Sequence, residues 1–195
     1  LLSRTPLAWA HSVLEQPLAL LVDHAFLERK AANNALELLT KWPGTYVEGW
    51  VETMSAVARD EAAHLAQVTR LLARRGGQMQ RLHKNPYANA LRALVRKGSA
   101  GEMLDRLLVA ALIEARSCER FYLLADASTD IELQRFYAAL HASELGHYKV
   151  FLRLGSKIAG RQAAEARWQA LLEEEASILA RQEPGPRMHS GFAAA

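Results

Sequence analysis

Apolar residues recur three and four positions apart along most of the chain, in stretches rich in Ala, Leu, Glu, Arg and Gln. This is the periodicity of amphipathic helices, and alternation of the kind that marks strands is missing. The pattern predicts a short helix from about Pro6 to Leu14 and a long one from Pro17 to Lys41. A proline suits the first turn of the long helix, and Trp42-Pro43-Gly44 closes it. A second long helix runs from about Tyr46 to Arg75 and stops at Gly76-Gly77. Gln78 to Leu91, with Asn85-Pro86-Tyr87, reads mostly as loop, followed by a short helix at Leu91 to Lys97 and a third long helix from Gly101 to Ala125. Ser128-Thr129-Asp130 offers an N-cap for a fourth that reaches about Ile158, and a fifth spans Arg161 to Gln182. Four long helices in two pairs, joined by one long connection, predict an all-α four-helix bundle with a crossover and additional peripheral helices. The expected organisation is one domain over residues 1–183, with the crossover at about 76–100 and a flexible tail over 184–195 that has too little apolar content to pack.

Composition narrows the class. At 195 residues the chain is long enough for one real hydrophobic core. Its single cysteine, Cys118, excludes an internal disulfide, a zinc ribbon and a redox CxxC pair, which points to a reducing compartment. Leu1 to Glu15 lacks a signal-peptide pattern, and no apolar run approaches the roughly 18 residues of a membrane span. The expectation is a cytoplasmic protein with no membrane partner.

The formal net charge of +3 hides an uneven distribution. From Leu65 to Gly101 there is no Asp or Glu, yet eight basic residues occur: Arg70, Arg74, Arg75, Arg81, Lys84, Arg92, Arg96 and Lys97. The other residues hold 16 basic against 21 acidic side chains. An acidic body therefore carries one strongly basic segment.

The acids themselves form a pattern. Glu61-Ala-Ala-His64 and Glu144-Leu-Gly-His147 each place a carboxylate and an imidazole three apart, on one helix face. The preceding helix of each pair carries a Glu in an apolar stretch: Glu28 within AFLERKA and Glu114 within ALIEARS. With 7 His in 195 positions, chance supplies about 0.6 Glu-x-x-His pairs, so one copy carries little weight. Two copies at matching places in a weak internal repeat, each with a partner Glu, carry much more. Four carboxylates and two imidazoles are the ligand set of bundle-borne di-iron or di-manganese proteins. His24 and His141, one turn or less from Glu28 and Glu144, fit either outer partners of the ligands or surface and capping roles. Glu119 is the rival to Glu114, but it points about 140° away around the helix, and an ion pair with Arg116 or Arg120 is its simpler role. Cys118 reads as a small core residue. Ala25, Ala32, Ala110 and Ala111 fit either a roomy pocket or close helix packing.

LERKAANNALELL around Glu28, RDEAAHLAQV around Glu61 and His64, IEARSCERF around Glu114, and SELGHYKVFLRL around Glu144 and His147 resemble the tRNA hydroxylase family MiaE. The resemblance covers about Pro6 to Leu154, with EARSCERF its most specific piece. It implies a ferritin-like non-haem di-iron monooxygenase that hydroxylates the isopentenyl side chain of 2-methylthio-N6-isopentenyl adenosine next to the anticodon of tRNA. It also implies that Glu28, Glu61, His64, Glu114, Glu144 and His147 hold two iron ions, with O2 as co-substrate. Electrons must come from an external donor, an unidentified reductase, because no flavin, nicotinamide or iron–sulfur signature is present.

A tRNA substrate gives the basic segment a role. Arg74, Arg75, Arg81, Lys84, Arg92, Arg96 and Lys97 supply charge for phosphates, and His83 and Tyr87 supply flat groups for stacking on unpaired bases. The alternative for this segment is ordinary solvated surface. Rival functions on the same ligand set are a ferroxidase, which needs cage assembly where a monomer or dimer is expected here, and a manganese catalase. A metal-free helical RNA-binding module is the rival from outside that class.

Overall fold

The computed structural model describes residues 1–42 and 47–192. Among them are seven α-helices and no strand: α1 (Leu7–Leu14), α2 (Pro17–Lys41), α3 (Trp50–Arg74), α4 (Pro86–Ala93), α5 (Glu102–Ala127), α6 (Ile131–Ala159) and α7 (Arg161–Ala180). The expected start at Tyr46 and the Pro43-Gly44 stop lie outside the described residues. Pro17 opens α2 as anticipated, and Asp130 caps α6 by accepting from the amides of Glu132 and Leu133. The expected loop from Gln78 to Leu91 is corrected in its second half. There, Asn85 caps the amide of Ala88 and Pro86 occupies the first turn, so α4 starts earlier than its apolar pattern suggests.

The chain divides into two compact units. One comprises Gln16–Lys84 and contains α2 and α3. These helices pair antiparallel: Leu18 at the start of α2 and Leu72 at the end of α3 both crowd Gly77, while Glu28 and His64 meet halfway along. Leu20, Leu21, Phe26, Leu38, Met54, Val57 and Leu71 are buried within it.

The other unit comprises Leu1–Glu15 and Asn85–Ala195. Here α5 and α6 run antiparallel, since Cys118 meets His141, Phe121 stacks near Tyr137, and Leu104 and Leu108 lie against Gly155. A methyl group on Gly155 would sit 3.2 Å from the Leu104 side chain, so a glycine at this position permits the close approach of the two helices. Gly160, at φ +80°, makes the turn into α7 that a side chain would strain. Tyr87 and Leu91 of α4, Leu104, Leu108 and Leu112 of α5, and Leu171, Leu172, Ile178 and Leu179 of α7 form one core.

Buried polar groups also link the elements of this unit. Arg116, fully buried, donates from Nε and Nη2 to Glu175, also fully buried, at 2.9 Å each, and Tyr87 donates its hydroxyl to the same carboxylate at 2.8 Å. Arg120 lies over the Trp9 ring and donates to the carbonyls of Met188 and Ser190. The expectation of a flexible tail does not hold for residues 188–190, which are buried. Backbone carbonyls answering a buried guanidinium anchor the tail, together with contacts of His189 to Ser117 and Asn85.

Candidate metal centre

On α2, position 28 falls on the face turned to α3, one turn beyond His24. Both side chains are buried, and His24 Nε2–H donates to Glu28 Oε1 at 2.5 Å. On α3, Glu61 and His64 lie three apart and face back. Glu28, Glu61 and His64 each offer a ligand atom, and these atoms lie within 4.8 Å of one another. His64 Nδ1 stands 3.7 Å from Glu28 Oε2 and 3.8 Å from Glu61 Oε2, beyond hydrogen-bonding distance, so the three groups converge without closing on each other. Burial pushes the Glu28 carboxyl up, but the charge and hydrogen bond of His24, with His64 close by, outweigh it and hold Glu28 well below the usual carboxylate range.

The second unit carries the matching residues. Glu144 and His147 are buried on α6, and His147 Nδ1–H donates to Glu144 Oε2 at 2.9 Å. Glu114 is buried on α5, the helix that pairs with α6. Each unit thus carries two buried glutamates and one buried histidine on a helix pair. Carboxylate oxygen with imidazole nitrogen suits iron, manganese or zinc, and buried carboxylates gathered around an imidazole need a cation to offset their repulsion. The donor chemistry of Glu28, Glu61 and His64 therefore fits a divalent metal.

The remaining candidates sort cleanly. His24 supports Glu28, as an outer partner of a ligand would. His141 instead donates from Nδ1 to the Cys118 carbonyl at 3.0 Å, a structural role. Glu119 accepts from Arg116 and from the Thr5 hydroxyl, as its simpler reading had it. Cys118 is buried, and burial followed by the Glu144 charge pushes its thiol up to about 11, so it is no ready nucleophile.

In the basic segment, Arg74, Arg81, Lys84, Arg92 and Lys97 are exposed and Arg75 is half-buried. Arg96 is committed to Asp105, to which its Nε and Nη2 donate at 2.8 and 2.7 Å. The two stacking groups are corrected: Tyr87 is fully buried on Glu175, and His83 is held against α2 with its ring on Phe26. A tyrosine in the first turn of an unrecognised amphipathic helix faces the core, which is why the loop reading misplaced it. Glu175 was also passed over, yet it lies four residues after Leu171 and three before Ile178, on the apolar face of α7. No helix among the described residues is long and apolar enough to cross a membrane.

Comparison with known proteins bears on the same residues. A family described as "tRNA-(MS[2]IO[6]A)-hydroxylase (MiaE)" matches residues 1–190. A tRNA 2-(methylsulfanyl)-N(6)-isopentenyladenosine(37) hydroxylase of Pseudomonas putida is 40% identical over 189 residues, 96% of this chain and 90% of that protein. The protein of the same name from Salmonella typhimurium is 33% identical over 145 residues, 74% of this chain and 53% of that one. Among solved structures, a Synechococcus protein with aldehyde deformylating oxygenase activity aligns with 98% of this chain and 96% of its own, at a TM-score of 0.92 and 36% identity. The fold is all-α and ferritin-like.

Proposed function

The chain belongs to the MiaE family of tRNA hydroxylases, and from that premise we propose that it is an O2-dependent di-iron monooxygenase. Its substrate is the isopentenyl side chain of 2-methylthio-N6-isopentenyl adenosine, next to the anticodon of cytoplasmic tRNA. The observation that carries this reading is the buried Glu28–Glu61–His64 cluster on a chain that matches the family from residue 1 to 190.

Glu28, Glu61 and His64 would hold iron in one unit, and Glu114, Glu144 and His147 in the other. When bound, the iron pair supplies the O2 activation needed to oxidise an unactivated C–H bond, chemistry beyond any side chain. The balance is one C–H bond, O2, two electrons and two protons giving C–OH and water, so an external reductase must deliver the electrons. His24 fixes the orientation of Glu28 and keeps it ionised for ligation. The ligand set is itself shielded from water, since Glu28, Glu61 and His64 are all buried. The exposed Arg74, Arg81, Lys84, Arg92 and Lys97 take phosphates of the tRNA.

The test is anaerobic Fe(II) loading followed by O2, a chemical reductant and isopentenylated tRNA, with nucleosides read by mass spectrometry. A gain of one oxygen on the isopentenyl adenosine is expected. A loaded protein that leaves the nucleoside unchanged while consuming O2 or peroxide is an oxidase or catalase instead.

A further inference from the structure

Between α3 and Lys84 the chain carries Arg81-Leu82-His83-Lys84 in non-helical backbone. His83 is pinned there by three contacts to one helix. Its Nε2–H donates to the Asp23 carboxylate at 2.7 Å, its Nδ1 accepts from the Lys30 ammonium at 2.9 Å, and its ring lies on Phe26 with centroids 4.6 Å apart and planes 6° from parallel. Asp23, Phe26 and Lys30 all belong to α2 and bracket the turn that carries His24 and Glu28. A surface loop tied at one residue to a helix by two charge-assisted bonds and a stacked ring is a fixed platform.

On that platform Leu82 is 86% exposed, the most of any large apolar side chain among the described residues. Its neighbours Arg81 and Lys84 are exposed as well. An apolar side chain held out into water between two cations matches a polyanion with uncovered apolar faces. Single-stranded RNA has both, since unpaired bases show their flat faces between phosphates, whereas a duplex buries those faces in its stack. No acid occurs between Leu65 and Gly101 to set a like charge within the segment, and the Asp23 carboxylate is engaged by the His83 ring.

We propose that Arg81-Leu82-His83-Lys84 is the wedge that grips the anticodon loop. Leu82 packs on the face of an unpaired base, Arg81 and Lys84 take the flanking phosphates, and His83 is the positioning residue that fixes the wedge to α2. The proposal rests on the tRNA reading above and adds to it the element that selects unpaired RNA.

The test compares wild type and Leu82→Ala by fluorescence anisotropy, on an anticodon stem-loop and on a fully paired duplex of equal length. Leu82→Ala weakens stem-loop binding about tenfold, the scale of a leucine side chain removed from contact, and leaves duplex binding within about twofold. Its salt dependence stays that of wild type, while Arg81→Gln and Lys84→Gln each lower the slope by about 0.7. In turnover, His83→Ala raises KM for tRNA with kcat unchanged. His83→Gln restores KM, because an amide can donate to Asp23 and accept from Lys30 in the same place. The wedge is refuted if Leu82→Ala binds the stem-loop as wild type does, or loses duplex binding equally. It is also refuted if the replacement instead converts a dimer to a monomer at unchanged RNA affinity, which would assign Leu82 to a second copy of this chain. A wild-type protein that hydroxylates tRNA alongside an unaffected Leu82→Ala variant sinks the wedge alone. A wild type that binds no RNA sinks the tRNA reading with it.

Discussion

Replacing Arg116 by Met tests how far the frame around α5 depends on one buried charge pair. Arg116 and Glu175 are both fully buried, joined by two 2.9 Å bonds, with the Tyr87 hydroxyl on the same carboxylate. The Arg116→Met variant leaves Glu175 buried with one neutral donor in place of its counter-ion. Breaking such a pair from one side costs about 3–5 kcal/mol. At about 2–4 °C per kcal/mol for a protein of this size, melting should fall by roughly 6–20 °C. Glu175→Leu should be nearly as harmful, because it strands the guanidinium, although Arg116 keeps Glu119 as a partner. The double variant removes both charges, so it should lose less than the sum of the single losses, by about 2–3 kcal/mol. Urea unfolding of the four proteins closes the cycle. Single losses below about 1 kcal/mol, or additive losses, would refute the argument. Arg116 lies two residues after Glu114, about 200° around the same helix, so the single variants should also hold metal less well and the double variant better than either.

Three further outcomes follow from the same contacts. His24→Ala removes the 2.5 Å bond that orients Glu28 and should weaken Fe(II) binding about 10–100-fold in anaerobic titration; unchanged affinity would show that Glu28 is oriented without it. Asp105 is buried, which raises its pKa, but bonds from Arg96 and Arg167 outweigh this and hold it at about 2. A depressed folded-state pKa stabilises above the unfolded value near 3.9 and is lost as pH falls toward 2. The stability gap between wild type and Asp105→Asn should therefore narrow by up to about 2 kcal/mol between pH 5 and 2, and a constant gap would contradict the shift. Deleting residues 186–195 takes the Met188 and Ser190 carbonyls from Arg120, and should lower melting as strongly as a broken buried pair; an unchanged melting temperature would show that the tail is dispensable.

The helices, and the helix faces that carry the buried glutamates and histidines, were legible in the sequence because their signals are local. Pro17, Gly76, Asp130 and Gly160 punctuate the chain by backbone chemistry that needs no tertiary partner. Spacings of three between Glu61 and His64, and between Glu144 and His147, fix a shared helix face. What stayed hidden depends on partners far apart in the chain. His83 meets Asp23 across 60 residues and Lys30 across 53, so a ring that seemed available for bases is in fact a clamp. The tail looked too polar to pack, but it is held through backbone carbonyls, which every sequence has and no composition reveals. Tyr87 was misplaced because Asn85-Pro86 reads equally as a turn and as a capped helix start, and only packing against Glu175 decides between them.

The most direct measurement is hydroxylation of isopentenylated tRNA by the Fe(II)-loaded protein under isotope-labelled O2, with the nucleosides analysed by mass spectrometry. The account predicts one labelled oxygen on the isopentenyl side chain, and loss of that product in Glu144→Ala. An unmodified nucleoside from a fully loaded site, or a product carrying oxygen from water, would contradict it.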